Sequence, residues 1–128
     1  MYDNFQIINA IMLDLNHKRM TVWVKSLELV KLIYKLTSTF PLEEKYGMIS
    51  QLRRASVSVV SNISEGASRR TFKERSRFYE IARSSLVEVD TQIELSLELK
   101  YLTNDDINTL NEVANEVFAM LSSMIKPK

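Results

Sequence analysis

A chain of 128 residues with 45% hydrophobic and 26% charged content has the size and balance of one folded domain. Its net charge of +1 excludes a global field that gathers polyanions, and the absence of cysteine excludes disulfides, thiol catalysis and thiolate metal sites. Residues 1–19 do not read as a secretion signal, because Asp3 precedes any Lys or Arg and Asn9 and Asp14 break the apolar run. No apolar stretch approaches the ~20 residues of a membrane span.

The two glycines and two prolines fall where helices would break, at Pro41, Gly47, Gly66 and Pro127. In the N-terminal segment, Phe5, Ile8, Met12 and Leu15 have the spacing of a short extra helix. A first main helix is expected over about 22–38, with Trp23, Leu27, Val30 and Tyr34 as its apolar stripe and Val22, Leu29, Ile33 and Leu36 widening it. A second is expected over about 47–67, facing inward through Ile49, Leu52, Ser56, Val59, Val60, Ile63 and Ala67. Its SVSVV run is also compatible with a short strand, but the i, i+3, i+4 pattern in both flanks favours helix. A third is expected from Thr71, with Glu74 completing a capping box, to about Tyr101. Its stripe is Phe78, Ala82, Leu86, Val89, Ile93 and Leu97. Thr103 and Asp106 form a second cap, and a fourth helix carries Ile107, Leu110, Ala114, Val117, Phe118, Leu121 and Ile125. The fold class is therefore all-α, an antiparallel up-down-up-down four-helix bundle over 20–126, with 1–19 as an extension or short helix.

Two faces exceed what a lone bundle needs. Leu95, Leu99 and Leu102 form a second apolar stripe on the third helix, which either the N-terminal segment or another subunit must cover. Self-association is the preferred reading. On the second helix, Arg54, Ser58, Ser61 and Glu65 make a small-residue back face where a partner backbone could approach, with Arg54 and Glu65 pairing across the contact. A solvated polar face explains that pattern equally well.

Signals for catalysis are poor. The one histidine, His17, lies in a linker beside Lys18 and Arg19, and no zinc, calcium or phosphate-cradling motif is present. The carboxylates at 88, 94 and 98 lack the histidines of a di-iron bundle. No cofactor, metal or catalytic residue is expected. Charge is nevertheless segregated. Residues 53–83 hold eight Lys/Arg and three Glu, whereas 84–118 hold eight acids and only Lys100. Arg69, Arg70, Lys73, Arg75 and Arg77 crowd one helix connection and are the candidate phosphate contacts. Phe72, Phe78 and Tyr79 are interleaved with them as possible base-stacking groups, although Phe78 falls on the core stripe. Positive charge at a helix N-terminus opposes the macrodipole, so this cluster calls for acidic partners, either residues 88–116 or an external polyanion. Arg53 and Arg54 are better placed to pair with acids such as Glu65 or Glu88.

Three stretches, in order, carry a resemblance: VWVKSLELVKLIYKLTSTFP, EEKYGMISQLRRASVSVVSNISEGASRR and SRFYEIARSSLVEVDTQIELSLELKYL. From about residue 21 to 126 the chain resembles the four-helix-bundle proteins encoded in intervening sequences of bacterial 23S rRNA genes. The resemblance implies a cytoplasmic bacterial protein, a left-handed bundle and a ring-like homo-oligomer, a pentamer. Related bundle proteins accompany diversity-generating reverse transcriptases and contact nucleic acid through basic surfaces. By position, the family's motif falls on Arg53, Arg54, Asn62, Glu65, Gly66, Arg69 and Arg70, and on Glu88, Thr91, Gln92 and Glu94. None of these is implied to be catalytic. The expected function is thus a non-enzymatic homo-oligomer that binds RNA or a nucleic-acid-processing partner through its basic patch. The alternative is a scaffold that binds a protein and has no nucleic-acid role. No membrane association is expected.

Overall fold

A computed structural model describes residues 12–126. Among them are four α-helices and no strand: α1 (Thr21–Thr37), α2 (Met48–Ala67), α3 (Phe72–Glu98) and α4 (Asn108–Ile125). Short 3-10 turns at Asn16–Arg19, Leu42–Glu44 and Asp105–Ile107 join or precede them. Neighbours pack as α1 on α2, α2 on α3, α3 on α4 and α4 on α1, so the core is a single column of side chains. Between α1 and α2, side-chain contacts fix which ends meet. Trp23 Nε1, at the start of α1, donates to Ser64 Oγ near the end of α2 at 2.9 Å, while Arg53 Nε, early in α2, donates to Thr37 Oγ1 at the end of α1, also at 2.9 Å. Ser58 and Ser85 join α2 to α3 through their hydroxyls at 2.9 Å. Lys25 and Glu116 join α1 to α4 at 3.1 Å.

Three sequence expectations about packing need correction. On α1 the expected stripe is the flank rather than the centre. Trp23, Leu27 and Val30 are only partly buried and Tyr34 is exposed, while Ser26, Leu29, Ile33 and Thr37 face the core. Ser26 and Thr37 are tolerated there because each hydroxyl donates back to its own helix, to Trp23 O and Ile33 O, both at 2.7 Å. On α3 the buried aromatic is Tyr79, not Phe78. Gly66 lies buried where α2 meets this ring, and a β-carbon on it would come within 2.7 Å of Tyr79 Cε1. The missing side chain is therefore what lets the two helices close around Tyr79. Its burial pushes the Tyr79 hydroxyl pKa up.

Thirdly, α3 stops at Glu98 rather than near Tyr101, and this moves Leu102. Lys100 adopts φ 64°. Its N–H donates to Leu97 O at 3.0 Å, and the Tyr101 N–H donates to Ser96 O at 2.9 Å. These are the paired bonds of a Schellman ending, which reverses the chain. Leu102 is thereby returned to the core at 5% exposure, while Leu95 and Leu99 stay on the outer face at 47% and 51%. The expected three-leucine outer stripe is thus two leucines. Ile81 is exposed on the same side of α3, but about 21 Å before Leu95 with Glu88 between them.

The second expected cap forms in full and the first in half, since no bond from the Thr71 N–H to the Glu74 carboxylate completes its box. Thr71 Oγ1 accepts from Glu74 N–H at 3.1 Å and starts α3. Thr103 and Asp106 bond reciprocally, at 2.8 and 3.3 Å, but they head the 3-10 turn that precedes α4 rather than α4 itself. At the same end of the molecule, Glu44 accepts from Met48 N–H at 2.9 Å and from the Tyr101 hydroxyl at 2.7 Å, tying the approach to α2 to the exit of α3. For the expected N-terminal helix, Phe5 and Ile8 lie outside the described residues, and Met12 and Leu15 are exposed outside any α-helix. No described helix is long and apolar enough to cross a membrane.

Candidate nucleic-acid interface

The basic cluster occupies the connection between α2 and α3. The backbone turns through Ser68 and Arg69, whose N–H groups donate to Glu65 O and Gly66 O, and re-enters helix at Phe72, behind the Thr71 cap. The turn splits the five cations into two kinds. Arg69 Nη2 pairs with Glu65 Oε2 at 2.8 Å, and its guanidinium carbon lies 4.8 Å from the centre of the Phe78 ring. Arg75 Nη1 donates to the carbonyls of Arg70 and Arg69 at 2.9 and 3.3 Å, bracing the connection from inside. Both arginines are spent on the protein itself. Arg70, Lys73 and Arg77 are exposed and form no ion pair among the described residues.

This arrangement changes the electrostatic reading. The cluster sits not only at the start of α3, where positive charge is unfavourable, but also just past the end of α2, where it is favourable. The two effects offset each other. The acidic stretch does not cover the cluster: Glu116 pairs with Lys25, and Glu88 Oε2 accepts from Gln92 Nε2 at 3.3 Å, farther along α3. The single acid engaged is Glu65, in an exposed pair worth about 0.3–0.5 kcal/mol. Of the interleaved aromatics, Tyr79 is buried, Phe78 is half-buried beneath Arg69, and only Phe72 is exposed.

Within one chain, and among the described residues, Arg53 and Arg54 make no pair with Glu65 or Glu88. Arg53 points towards α1, where it donates to Thr37 Oγ1 and Tyr34 O and stacks 4.4 Å from the centre of the Tyr34 ring. Arg54 is exposed on the opposite flank with no ion pair among the described residues. His17 rests edge-on against Trp23 at 5.2 Å, where burial, followed by the charge of Lys18, lowers its pKa. Among the described residues no group of three potential ligands gathers for a metal ion.

These helices and their connection recur in known proteins. The chain matches the family described as 23S rRNA-intervening sequence protein over residues 18–123, a span that takes in α1 to α3 whole and nearly all of α4. It is also similar to the crystal structure of a protein with unknown function from the S23 ribosomal protein family of Bacteroides thetaiotaomicron VPI-5482. The two are 25% identical with a TM-score of 0.74, over 84% of this chain and 100% of that one. No curated protein matches. With the family match spanning the helices, their connections and the basic turn between α2 and α3, the chain belongs to the 23S rRNA-intervening sequence protein family.

Proposed function

We propose that this protein is a non-enzymatic, cytoplasmic, antiparallel four-helix bundle that assembles as a homo-oligomer, a pentamer, and presents a ring of cations to the phosphate backbone of RNA. One observation carries the reading: Arg70, Lys73 and Arg77 stand exposed at the α2–α3 connection without acidic partners among the described residues. Three cations on one chain make a weak site. Repeated by symmetry, they act together, and affinity rises through effective concentration without any new contact. Self-association is supported by the outer face of α3, where Ile81, Leu95 and Leu99 are exposed. The antiparallel arrangement is supported by contacts that join the start of α1 to the end of α2, the start of α2 to the end of α1, and the start of α2 to the later half of α3. Neither Arg69 nor Arg75 belongs to the binding set, because each is already engaged.

The test is a salt titration of RNA binding, with sedimentation to count subunits. Each subunit's three cations contribute at most about −2 to the slope of log K against log salt for single strands. Replacing all three by Ala should remove binding and leave the melting temperature unchanged, whereas Arg75→Ala should lower the melting temperature. Absence of RNA binding at low ionic strength would sink the RNA reading, and a 14.9 kDa monomer at micromolar concentration would sink the assembly. The exposed apolar face of α3 favours a second reading, a scaffold whose partner is a protein. Retained assembly with no salt-sensitive RNA binding selects it.

A further inference from the structure

We propose that the groove between α3 and α4 binds an amphiphilic organic cation, with Asp90 receiving the ammonium group. This site is separate from the Arg70–Lys73–Arg77 cluster and does not depend on the nucleic-acid reading. A cavity of about 350 Å³ opens along the seam between the two helices. Leu86, Ile93 and Leu110 form its floor, and Phe118 walls one side. The cause is local. Ala114 sits one turn from both Leu110 and Phe118 on the same face of α4, so a small side chain leaves a notch between two large ones. An apolar cavity of roughly 150 Å³ already holds benzene. The larger notch takes a ring with a short chain, whereas a helix about 10 Å across does not enter it.

The mouth is polar, and its charge has one sign. Asp90 is the only ionised side chain in the lining, and it has neither a hydrogen bond nor an ion pair among the described residues. Asn111 and Asn115 stand beside it. Asn115 Nδ2 is taken up by Asn111 O at 2.8 Å, which leaves the Asn115 amide oxygen as an acceptor at the mouth. Two turns earlier on α3, Arg83 closes the other end. Its Nη1 donates to Ser122 Oγ at 3.1 Å, and its guanidinium lies 5.8 Å from the centre of the Phe118 ring. A ligand cation is therefore drawn to the Asp90 end and repelled from the Arg83 end, with its apolar part over Phe118. A carboxylate of the same shape would meet Asp90 head-on.

Three isosteres test this on the full-length protein: 4-phenylbutylamine, 4-phenylbutanol and 4-phenylbutanoate. The readout is the methyl NMR resonances of Leu86, Ile93 and Leu110. The amine should bind in the millimolar range expected of about eleven heavy atoms. It should bind about three- to five-fold more tightly than the alcohol, with the carboxylate weakest. Asp90→Asn should erase the preference for the amine and leave alcohol binding intact. Ala114→Leu should abolish binding of the amine and the alcohol without lowering the melting temperature. The proposal is overturned if amine and carboxylate bind alike, if Asp90→Asn leaves the preference unchanged, if the shifts map elsewhere, or if no ligand gives a saturable shift.

Discussion

On its α2 side, α3 is approached by small residues. Gly66 lies against Tyr79, Ser58 bonds Ser85, and Gln51 Oε1 accepts from Gln92 Nε2 at 3.4 Å, so the two backbones run close and their polar groups find one another. On its α4 side, α3 meets Leu110 and Phe118 across a 350 Å³ groove, and the seam's one side-chain hydrogen bond among the described residues is Arg83 to Ser122 at its far end. The same helix thus makes one seam that has no room for another carbon and one that has room to spare. Side-chain volume at a few positions sets this difference, since both partner helices present apolar faces to the same core.

Adding three carbon atoms to each seam should therefore give opposite signs. Gly66→Val forces branched carbons onto the Tyr79 ring and should lower stability by about 2 kcal/mol, even after the gain in helix propensity. Ala114→Leu fills the groove and should raise stability by about 1 kcal/mol. Urea unfolding of the two variants side by side measures both, and a loss in each would erase the contrast. Ser58→Ala, which deprives Ser85 Oγ and Asn62 Nδ2 of a partner, should cost about 1 kcal/mol. Removing the Ser122 hydroxyl at the open seam should cost less, because its partner Arg83 can turn to solvent. The smallest effect depends on pH. The Met48 N–H and then the Tyr101 hydroxyl hold the Glu44 carboxyl below its usual pKa. Its contribution is present above the ordinary carboxylate value and disappears as pH falls through the lowered one. Glu44→Gln should flatten the acid side of the stability profile below the ordinary carboxylate value, and an unchanged acid limb would remove Glu44 from the account.

The contrast between the seams also marks what could be read in the sequence. Four helices were legible because Pro41, Gly47 and the two threonine caps punctuate long periodic runs, and local chemistry sets those boundaries, whereas Gly66 lies inside α2 and serves packing. The centre of the α1 face was not legible. Apolar periodicity passes over Ser26 and Thr37, whose hydroxyls are satisfied within their own helix and so cost little to bury. Leu102 was misplaced because its position depends on the backbone of Lys100, a residue type that gives no sign of a left-handed turn. The basic block was legible as a composition, but its division was not. That Arg69 and Arg75 turn inward while Arg70, Lys73 and Arg77 face out follows from the path of a four-residue connection.

The turn at Lys100 also has a stereochemical consequence. An L-residue is strained at its φ of 64°, and the mirror-image residue is at ease there. A chemically synthesised chain carrying D-lysine at this one position keeps every charge and side-chain atom, and it should melt higher than the natural protein. The same inversion inside any of the four helices would break them, so among the described residues this α-carbon is the place where the fold prefers the other hand.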